Sequence, residues 1–406
     1  MIIKQCRLCN SDSLKKVIDL GDHPPADTFI PQKYKDIDLP RYPLSLTKCS
    51  ACGHVFTSFY VSPEERYQRY EYSYDSSNSI VSENHFKDFA EDVLDTKDFS
   101  PDSLFVDIGS NVGTLLTKFK DKGLNNVLGI EPSENISKLA NSNGIRTLNY
   151  FFDKTLQNNL DFNNKADCIL SANVFNHTDD LGEVFELVLD LLSDEGILVF
   201  EVPYLLDLIK QRAFDTIYHE HVHYFSVKAL KEILNSYDFE IVKLKNIDYM
   251  CGSLRVFCQK KSSSIYEALE VETFIENENS FSLFDDETYL SFMKDIKNMK
   301  IKLNSDIDSI LKKGGKIIGV GAATKGNTLL NFCDLDHNKI SYLTDTSKLK
   351  VGKYSPGSLI PIKHDDEIDN SVTHLLILPW NLSDYLVNKL SFMKKKFLIP
   401  QMENLK

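Results

Sequence analysis

Short apolar segments alternate with amphipathic stretches from about residue 84 to residue 260. The apolar segments 103–108, 126–130, 166–171 and 196–203 have the length of buried strands, and a helix is predicted near 86–93. Buried strands that alternate with helical patterns predict βαβ units, in which helices cover a parallel sheet. We therefore predict an α/β domain in this part of the chain.

A second unit of strands and helices is predicted beyond residue 260. The sequence over 260–280 is polar and serine-rich, then acidic, which predicts a linker. Apolar residues at helical spacing predict a helix over 286–311. The segments 316–320 and 341–345 then predict strands, and the first of them is followed by a glycine-rich turn.

The length of 406 residues predicts two or three domains, because a domain contains about 100–200 residues. We expect a zinc-binding domain over 1–75, an α/β core over 76–260 and a second α/β domain over 261–406. The formal net charge of −13 opposes nonspecific attraction to nucleic acids. No apolar run approaches the roughly 20 residues of a membrane span, and the first residues lack the features of a secretory signal. We expect a cytoplasmic protein without nucleic-acid or membrane partners, and the sequence assigns no oligomeric state.

The cysteines suggest a metal site near the start of the chain. Cys6, Cys9, Cys49 and Cys52 form two C-x2-C pairs, whereas the other cysteines are isolated. Two such pairs supply the four thiolates that tetrahedral Zn(II) prefers, and four protein ligands leave no open position for a substrate. We therefore predict a structural zinc site, with redox disulfides or an iron–sulfur cluster as the alternatives.

The loop from Asp107 to Gly113 has the pattern D-x-G-x-x-x-G at the end of a predicted strand. This pattern fits S-adenosylmethionine better than the G-x-G-x-x-G expected for NAD. The next strand delivers Glu131, 18 residues beyond Gly113, where a carboxylate can accept both hydroxyls of a ribose. A class I methyltransferase core is predicted, and a doubly wound domain for another nucleotide is the alternative. The predicted donor-binding residues are Asp107, Gly109, Asn111, Gly113, Glu131 and Asn173.

The segment 218–226 contains three imidazoles, a carboxylate and two phenols within nine residues. Histidine titrates near neutrality, a nearby carboxylate can tune it, and a tyrosine can stabilise an oxyanion. These are the groups that proton abstraction beside a carbonyl requires. The segment also follows the strand 196–203, and ligands of parallel sheets bind beyond the carboxyl ends of strands. We predict a catalytic segment, with a histidine-rich metal clip or a polar loop as the alternative.

Two other segments are candidates for binding a substrate. From Gly319 to Thr328, a strand, a glycine turn, Lys325 and a helix can form an anion cradle, although a merely tight turn has the same pattern. The stretch from Tyr67 to Tyr74 is rich in tyrosine and can wall a pocket or pack between domains. The predicted substrate-binding residues are Tyr72, Tyr74, Tyr224, Lys325, Asn327, Lys353 and Tyr354.

In their order along the chain, these motifs resemble the zinc-containing, S-adenosylmethionine-dependent C-methyltransferases of nucleotide-linked deoxysugars. The resemblance spans nearly the whole sequence. It rests on the two cysteine pairs, the loop 107–113, Ala172-Asn173-Val174 with His177, Tyr218 to His221 with Tyr224-Phe225-Ser226, Gly252 to Arg255, Gly319 to Thr328, Tyr354 to Gly357 and Leu378 to Asn381. Two pairs depart from the family pattern: Phe175-Asn176 stands where an apolar and small pair is expected, and Met250-Cys251 stands where a more polar pair is expected.

The resemblance implies a zinc lobe, a class I core and a C-terminal Rossmann-like domain that helps to hold a nucleotide sugar. It places Tyr218, Glu220, His221 and His177 in the active site. The implied reaction is C-methylation at C3 of a nucleoside diphosphate 4-keto-6-deoxyhexose, because the keto group acidifies the C3–H bond and stores charge as an enolate. In this scheme His221 removes the proton and Glu220 orients or tunes the imidazoles. Tyr218 and His177 stabilise the enolate oxygen or relay protons.

Three other functions share part of this pattern. An O- or N-methyltransferase for a small metabolite also uses a donor loop and a histidine base. A zinc-bearing nucleic-acid-binding protein with a degenerate core is disfavoured by the net charge. A noncatalytic sugar-nucleotide binder is disfavoured because the donor loop and the histidine segment are retained together.

Overall fold

The computed structural model of the protein describes residues 1–67, 73, 80–158, 165–263 and 268–400. Tyr72 and Tyr74, two of the predicted substrate-binding residues, lie outside the described residues. Within the described ranges, none of the helices has the length and apolar character needed to cross a membrane.

The central sheet contains the strands that the sequence predicts between residues 100 and 203. Its strands, in spatial order, are Phe239–Ile247, Ser253–Lys260, Leu192–Pro203, Ala166–Ala172, Phe105–Ile108, Val127–Ile130 and Thr147–Leu148. From Leu192–Pro203 to Thr147–Leu148 all neighbours pair in parallel, and Ser253–Lys260 is antiparallel to both of its neighbours. The predicted α/β core is therefore confirmed.

Apolar side chains on both faces of this sheet explain why helices cover it. Phe105 belongs to a buried cluster with Phe89 and Leu116, whereas the adjacent Val106 belongs to a cluster with Val184 on the other face. The helices of this part of the chain are Ile80–Leu94, Thr114–Lys120, Glu134–Ser142, Leu181–Leu191, Leu205–Gln211 and Val227–Ser236. A parallel sheet buried on both faces leaves the carboxyl ends of its strands as the place for a ligand.

The N-terminal part of the chain forms an antiparallel sheet that also takes up a strand of the predicted catalytic segment. In spatial order its strands are Leu14–His23, Tyr42–Cys49, Val55–Thr57 and His223–Tyr224. His223 pairs with Phe56 and Tyr224 pairs with Val55. The amide of Thr57 also donates to the carbonyl of Val222 at 3.0 Å. The cysteine-bearing lobe is thus hydrogen-bonded directly to the predicted catalytic segment, although that segment lies far away in the sequence.

The C-terminal part of the chain is a second parallel α/β unit, as predicted. Its sheet has, in spatial order, Ile362–His364, Leu343–Asp345, Ile317–Val320, His374–Ile377 and Lys396–Leu398, and all neighbours are parallel. The helices of this unit are Glu270–Ser280, Asp286–Lys312, Thr324–Phe332 and Ser383–Leu390. A short helix, Pro63–Tyr67, belongs to the first lobe. The strand Lys353–Tyr354 pairs with Ile30–Pro31 and so ties this unit to the first lobe.

The linker predicted over 260–280 is wrong for much of its length, because Glu270–Ser280 is a helix. The side chain of Glu278 in this helix is buried and accepts hydrogen bonds from the amides of Val227 and Lys228. It therefore caps the helix Val227–Ser236 from outside, where a carboxylate is favourable. The polar composition that suggests a linker belongs to a helix with a narrow buried face.

Candidate active site

A cavity of about 380 Å³ lies at the carboxyl ends of the parallel strands. Residues from the first lobe, the central sheet and the C-terminal unit line it together. Those used below are Asp27, Arg66, Tyr67, Asp107, Gly109, Asn111, Glu131, Asn173, His177, Tyr218, Glu220, His221, Tyr249 and Thr324. The donor loop and the histidine segment, which lie more than 100 residues apart in sequence, therefore face the same space.

The loop that follows the strand Phe105–Ile108 is shaped for close approach of a ligand. Gly109 has a φ of 69°, and a Cβ added there would lie 2.4 Å from the side chain of Val174. Asn111 also has a positive φ, of 50°. Its amide donates to Oε2 of Glu131 at 3.1 Å, and the amide of Ser133 donates to Oε1 at 2.8 Å. These bonds hold the Glu131 carboxylate at the end of its strand, and burial raises its pKa.

The polar atoms of this half of the cavity fit S-adenosylmethionine. Asp107 Oδ1 and Asn173 Oδ1 are buried, and neither has a hydrogen-bond partner among the residues that the structure describes. Burial, followed by the neighbouring Glu131, raises the pKa of Asp107 well above its usual range. Buried acceptors without donors are costly, so this site favours a ligand rich in N–H and O–H groups. The ammonium group and ribose hydroxyls of S-adenosylmethionine are such donors.

Gly113 is placed differently from the other predicted donor residues. It does not line the cavity; it precedes the helix Thr114–Lys120 with a φ of 83°. A Cβ there would lie 2.8 Å from the side chain of Ile145. Its part in this structure is therefore to let the helix begin close to the sheet.

His221 lies in the other half of the cavity with its tautomer fixed. Its Nδ1 donates to the carbonyl oxygen of Thr216 at 2.8 Å, since a carbonyl can only accept. Burial lowers its pKa to about 3, so the ring is neutral and its Nε2 carries the lone pair. The rings of Tyr218 and His177 lie 3.9 Å and 4.8 Å from it, between centroids. The arrangement places a neutral imidazole beside a phenol ring and a second imidazole.

His177 is held by two residues of the first lobe, of which the sequence identifies only Tyr67 as a candidate for the wall of a pocket. Its Nδ1 lies 2.9 Å from the hydroxyl of Tyr67, and its carbonyl accepts from the guanidinium of Arg66 at 3.1 Å. Arg66 also forms an ion pair with Asp179. Burial lowers the pKa of His177 well below its usual range, and the nearby His221 lowers it further. Tyr67 belongs to the tyrosine-rich stretch, whereas no local signal distinguishes Arg66.

Glu220 makes contacts other than those expected from the sequence. Its Oε1 accepts from the amide of Asp27 at 3.0 Å, and its Oε2 accepts from the amide of Ala26 at 3.4 Å. Burial raises its pKa to about 7. The hydrogen bond that orients His221 comes from Thr216 and not from Glu220. Glu220 instead joins the catalytic segment to the first lobe.

The predicted substrate-binding residues that the structure describes do not line the cavity. Tyr224 is buried in the sheet of the first lobe, and Lys353 and Tyr354 pair with Ile30–Pro31. The side-chain amide of Asn327 donates to the carbonyl of Ala26 at 2.7 Å, and Lys325 contacts Asn381. The residues that line the cavity without having been identified from the sequence include Asp27, Arg66, Tyr249 and Thr324. They come from distant parts of the chain, so only the fold brings them together.

The four paired cysteines form one cluster. Their sulfur atoms all lie within 4.8 Å of one another, with Cys6 and Cys52 at 3.6 Å and Cys9 and Cys49 also at 3.6 Å. Zinc–thiolate bonds of about 2.3 Å at tetrahedral angles place sulfur atoms about 3.8 Å apart. The amide of Leu8 points at the Cys6 sulfur at 3.4 Å. This donor set fits a structural zinc ion.

Three family models match successive parts of the chain. They are described as "Putative zinc binding domain" over residues 6–67, "Methyltransferase domain" over 83–244 and "C-methyltransferase C-terminal domain" over 248–400. Together with the cavity, these matches support an S-adenosylmethionine-dependent methyltransferase, and the model that matches 248–400 is one of C-methyltransferases.

A curated relative supports this class. The C-methyltransferase NovU of Streptomyces niveus is 28% identical over 403 residues, which covers 98% of this chain and 95% of NovU. Solved structures with similarity to this chain include an S-adenosylmethionine-dependent methyltransferase from Clostridium acetobutylicum, 13% identical with a TM-score of 0.35 over 44% of this chain and 91% of the other. Another is magnesium protoporphyrin IX methyltransferase from Synechocystis, 14% identical with a TM-score of 0.36 over 46% and 90%.

Replacing Glu131 by alanine is expected to weaken binding of S-adenosylmethionine by about 10–100-fold, because a hydrogen bond to a charged group contributes about 1.5–3 kcal/mol. The turnover number at saturating donor should change little. Isothermal titration with S-adenosylmethionine measures the effect. Glu134→Ala, at an exposed glutamate of the following helix, is the matched control. An unchanged donor affinity in Glu131→Ala would show that Glu131 does not contact the donor.

Proposed function

We propose that the protein transfers a methyl group from S-adenosylmethionine to C3 of a nucleoside diphosphate 4-keto-6-deoxyhexose. The proposal has two supports. One is the order of motifs along the sequence, which resembles the deoxysugar C-methyltransferases. The other is the neutral, oriented imidazole of His221 in the cavity that the donor loop also lines. The single observation that carries it is this imidazole, since a carbon acid must lose a proton before it can be methylated.

The chemistry explains why such a base is needed. An ordinary sugar carbon is not nucleophilic, but a neighbouring 4-keto group lets C3 lose a proton and places the negative charge on the keto oxygen. In the proposed step, His221 Nε2 takes the C3 proton and the electron pair of the C–H bond forms the enolate. C3 then forms a bond to the methyl carbon as the sulfur–methyl bond breaks, which leaves S-adenosylhomocysteine. S-adenosylmethionine supplies the electrophilic methyl group.

The neighbours of His221 have complementary roles in this proposal. The carbonyl of Thr216 accepts from Nδ1 and stabilises the imidazolium that forms when Nε2 gains a proton. Tyr218 and the pair of His177 with Tyr67 lie beside the base, where they can donate to the enolate oxygen. Preorganised donors at a developing oxyanion typically contribute about 10²–10³-fold in rate. Glu220 and Asp27 close the cavity on the same side.

The reaction class is tested with a panel of TDP-, GDP- and CDP-linked 4-keto-6-deoxysugars. Each is incubated with protein and S-adenosylmethionine, and mass spectrometry follows a gain of one methylene unit; a C3 methyl in the NMR spectrum identifies the carbon. A parallel incubation in heavy water without donor is expected to place deuterium at C3. Methylation of oxygen or nitrogen without deuterium uptake would instead establish a heteroatom methyltransferase. Neither product nor deuterium with any sugar would refute the proposed acceptor class.

A further inference from the structure

Side chains in the first turns of the helix Thr324–Phe332 already form hydrogen bonds with other parts of the protein. Sequence alone suggests that the first of these turns binds phosphate. In the structure, Thr324 Oγ1 donates to Asp27 Oδ1 at 2.6 Å and Asn327 Nδ2 donates to the carbonyl of Ala26 at 2.7 Å. One position further along, Thr328 Oγ1 donates to the carbonyl of Ile217 at 3.1 Å. Thr324 and Asn327 are therefore bonded to the first lobe and Thr328 to the residue before Tyr218, whereas Lys325 contacts Asn381 of its own unit.

Asp27 accepts a hydrogen bond from the hydroxyl of Thr324, the first residue of this helix, and a helix N-terminus favours an anion nearby. Besides Thr324, it accepts from the hydroxyl of Ser73 at 3.0 Å and from the amide of Ser73 at 3.4 Å. Burial raises its pKa, while the positive charge of Lys350 opposes that rise. Lys350 itself donates to the carbonyl of Ala322 in the same glycine turn. The buried Asp27 carboxylate thus accepts one hydrogen bond from Thr324 of the turn and two from Ser73 of the first lobe, with the Lys350 cation nearby.

The segment Ala26–Asp27 connects this turn to the catalytic residues. On one side it is held by Asn327 and Thr324, and on the other its two amides donate to the carboxylate of Glu220. Glu220 directly precedes His221. Thr328 contacts the residues that precede His221. Its hydroxyl donates to the carbonyl of Ile217, which follows Thr216, and the carbonyl of Thr216 orients His221.

We propose that Asp27 is a positioning residue for the methyl transfer, and that the glycine turn of the C-terminal unit holds the Asp27 carboxylate in place of a phosphate. The C-terminal unit then acts on catalysis by fixing both flanks of His221. Asn327 is accordingly a contact between domains, Lys325 contacts Asn381 of its own unit, and neither is a ligand of a nucleotide. The kinetic part of this inference rests on the proposed function; the anion part does not.

The anion part is tested by chemical rescue without any acceptor. Asp27→Ala is expected to lower the thermal midpoint by about 4 °C or more. Sodium formate should restore part of this loss, and the restoration should exceed the effect of formate on the wild type and of sodium chloride at the same ionic strength. Thr324→Val combined with Asp27→Ala should abolish the rescue. No formate-specific gain in Asp27→Ala would refute an anion site at this turn. If Asp27→Ala does not fold, Asp27→Gly carries the same measurement.

The kinetic part compares three single substitutions of threonine. Thr324→Val is expected to lower turnover of the keto sugar, and deuterium uptake at C3, by about 10-fold or more, with donor affinity within about 2-fold. Thr324→Ser keeps the hydroxyl and should restore most of the rate. Thr344→Val is the matched control, because its buried hydroxyl has no hydrogen-bond partner within the described residues. Wild-type rates in Thr324→Val would refute the positioning role.

Titration with a nucleotide distinguishes a turn that holds Asp27 from a turn that binds phosphate. Lys325→Ala is expected to leave the affinity of the protein for TDP unchanged, since the turn is filled by Asp27. A loss of about tenfold or more in TDP affinity would show that the turn binds the diphosphate and would overturn the proposal. If no keto sugar reacts with the wild type, the proposed function fails, and the formate measurement still decides the role of Asp27.

Discussion

Replacing His221 by alanine is expected to lower turnover by about 10²–10⁴-fold, the range that positioned acid–base groups contribute. Donor affinity should stay within a few-fold, because the donor loop and Glu131 lie in the other half of the cavity. Deuterium uptake at C3 in the absence of donor should fall in parallel, since both reactions need the same proton abstraction. Steady-state kinetics, isothermal titration and NMR of the recovered sugar measure the three quantities.

His219→Ala is the matched control for this substitution. His219 is also buried, lies in the same segment, and is not among the residues that line the cavity. Its removal is expected to lower thermal stability to a similar degree while turnover stays within a few-fold of the wild type. Equal losses of turnover in the two variants would indicate that the segment is merely disrupted, and wild-type turnover in His221→Ala would exclude His221 as the base.

Loss of the metal is expected to abolish methyl transfer while the donor still binds. A structural zinc ion contributes about 10–16 kcal/mol to folding of small metal domains. That exceeds what a small lobe can supply by packing alone. The cysteine-bearing lobe would unfold, and with it the pairing of Val55–Thr57 to His223–Tyr224 that holds the catalytic segment. Cys49→Ala, or treatment with a strong chelator, should therefore remove turnover and leave donor affinity within about tenfold.

The control for the metal substitution is Cys333→Ala, at a buried cysteine of the C-terminal unit. The zinc content of Cys333→Ala, measured by atomic absorption, should equal that of the wild type, and the variant should retain turnover. Cys49→Ala should contain less zinc. Full turnover in metal-free protein would show that the lobe folds and supports the catalytic segment without the ion.

The elements of the central sheet could be predicted because each is set by a local pattern. The apolar segments near 105, 127, 166 and 197 are strands in the structure, and the periodic segment 286–311 is the helix Asp286–Lys312. A strand buried on both faces is almost continuously apolar, so its sequence shows it. The helix Glu270–Ser280 was missed because its buried face is narrow and its polar residues dominate the composition.

The site was only partly predictable, for a physical reason visible in single residues. Asp107 lies near the carboxyl end of one strand and Glu131 follows the next, and the carboxyl ends of parallel strands meet at one edge, so local order predicts their proximity. Asp27 and Arg66 carry no such signal, and Thr324 belongs to a turn that the sequence suggests for phosphate and not for a contact with Asp27. Their places depend on hydrogen bonds between residues up to 301 positions apart, as in the bond of Asn327 to Ala26. The role of Glu220 likewise depends on amides of the first lobe.

The sequence by itself determined the local elements, the four thiolates of the metal site and the chemical groups of the histidine segment, because these follow from side chains close together in the chain. The tertiary structure decided which nitrogen of His221 carries the lone pair, since the carbonyl of Thr216 selects the tautomer. It also decided that Thr324, in the glycine turn that sequence alone suggests for phosphate, donates to Asp27 of the first lobe. Both outcomes depend on hydrogen bonds between groups that the sequence pattern does not bring together.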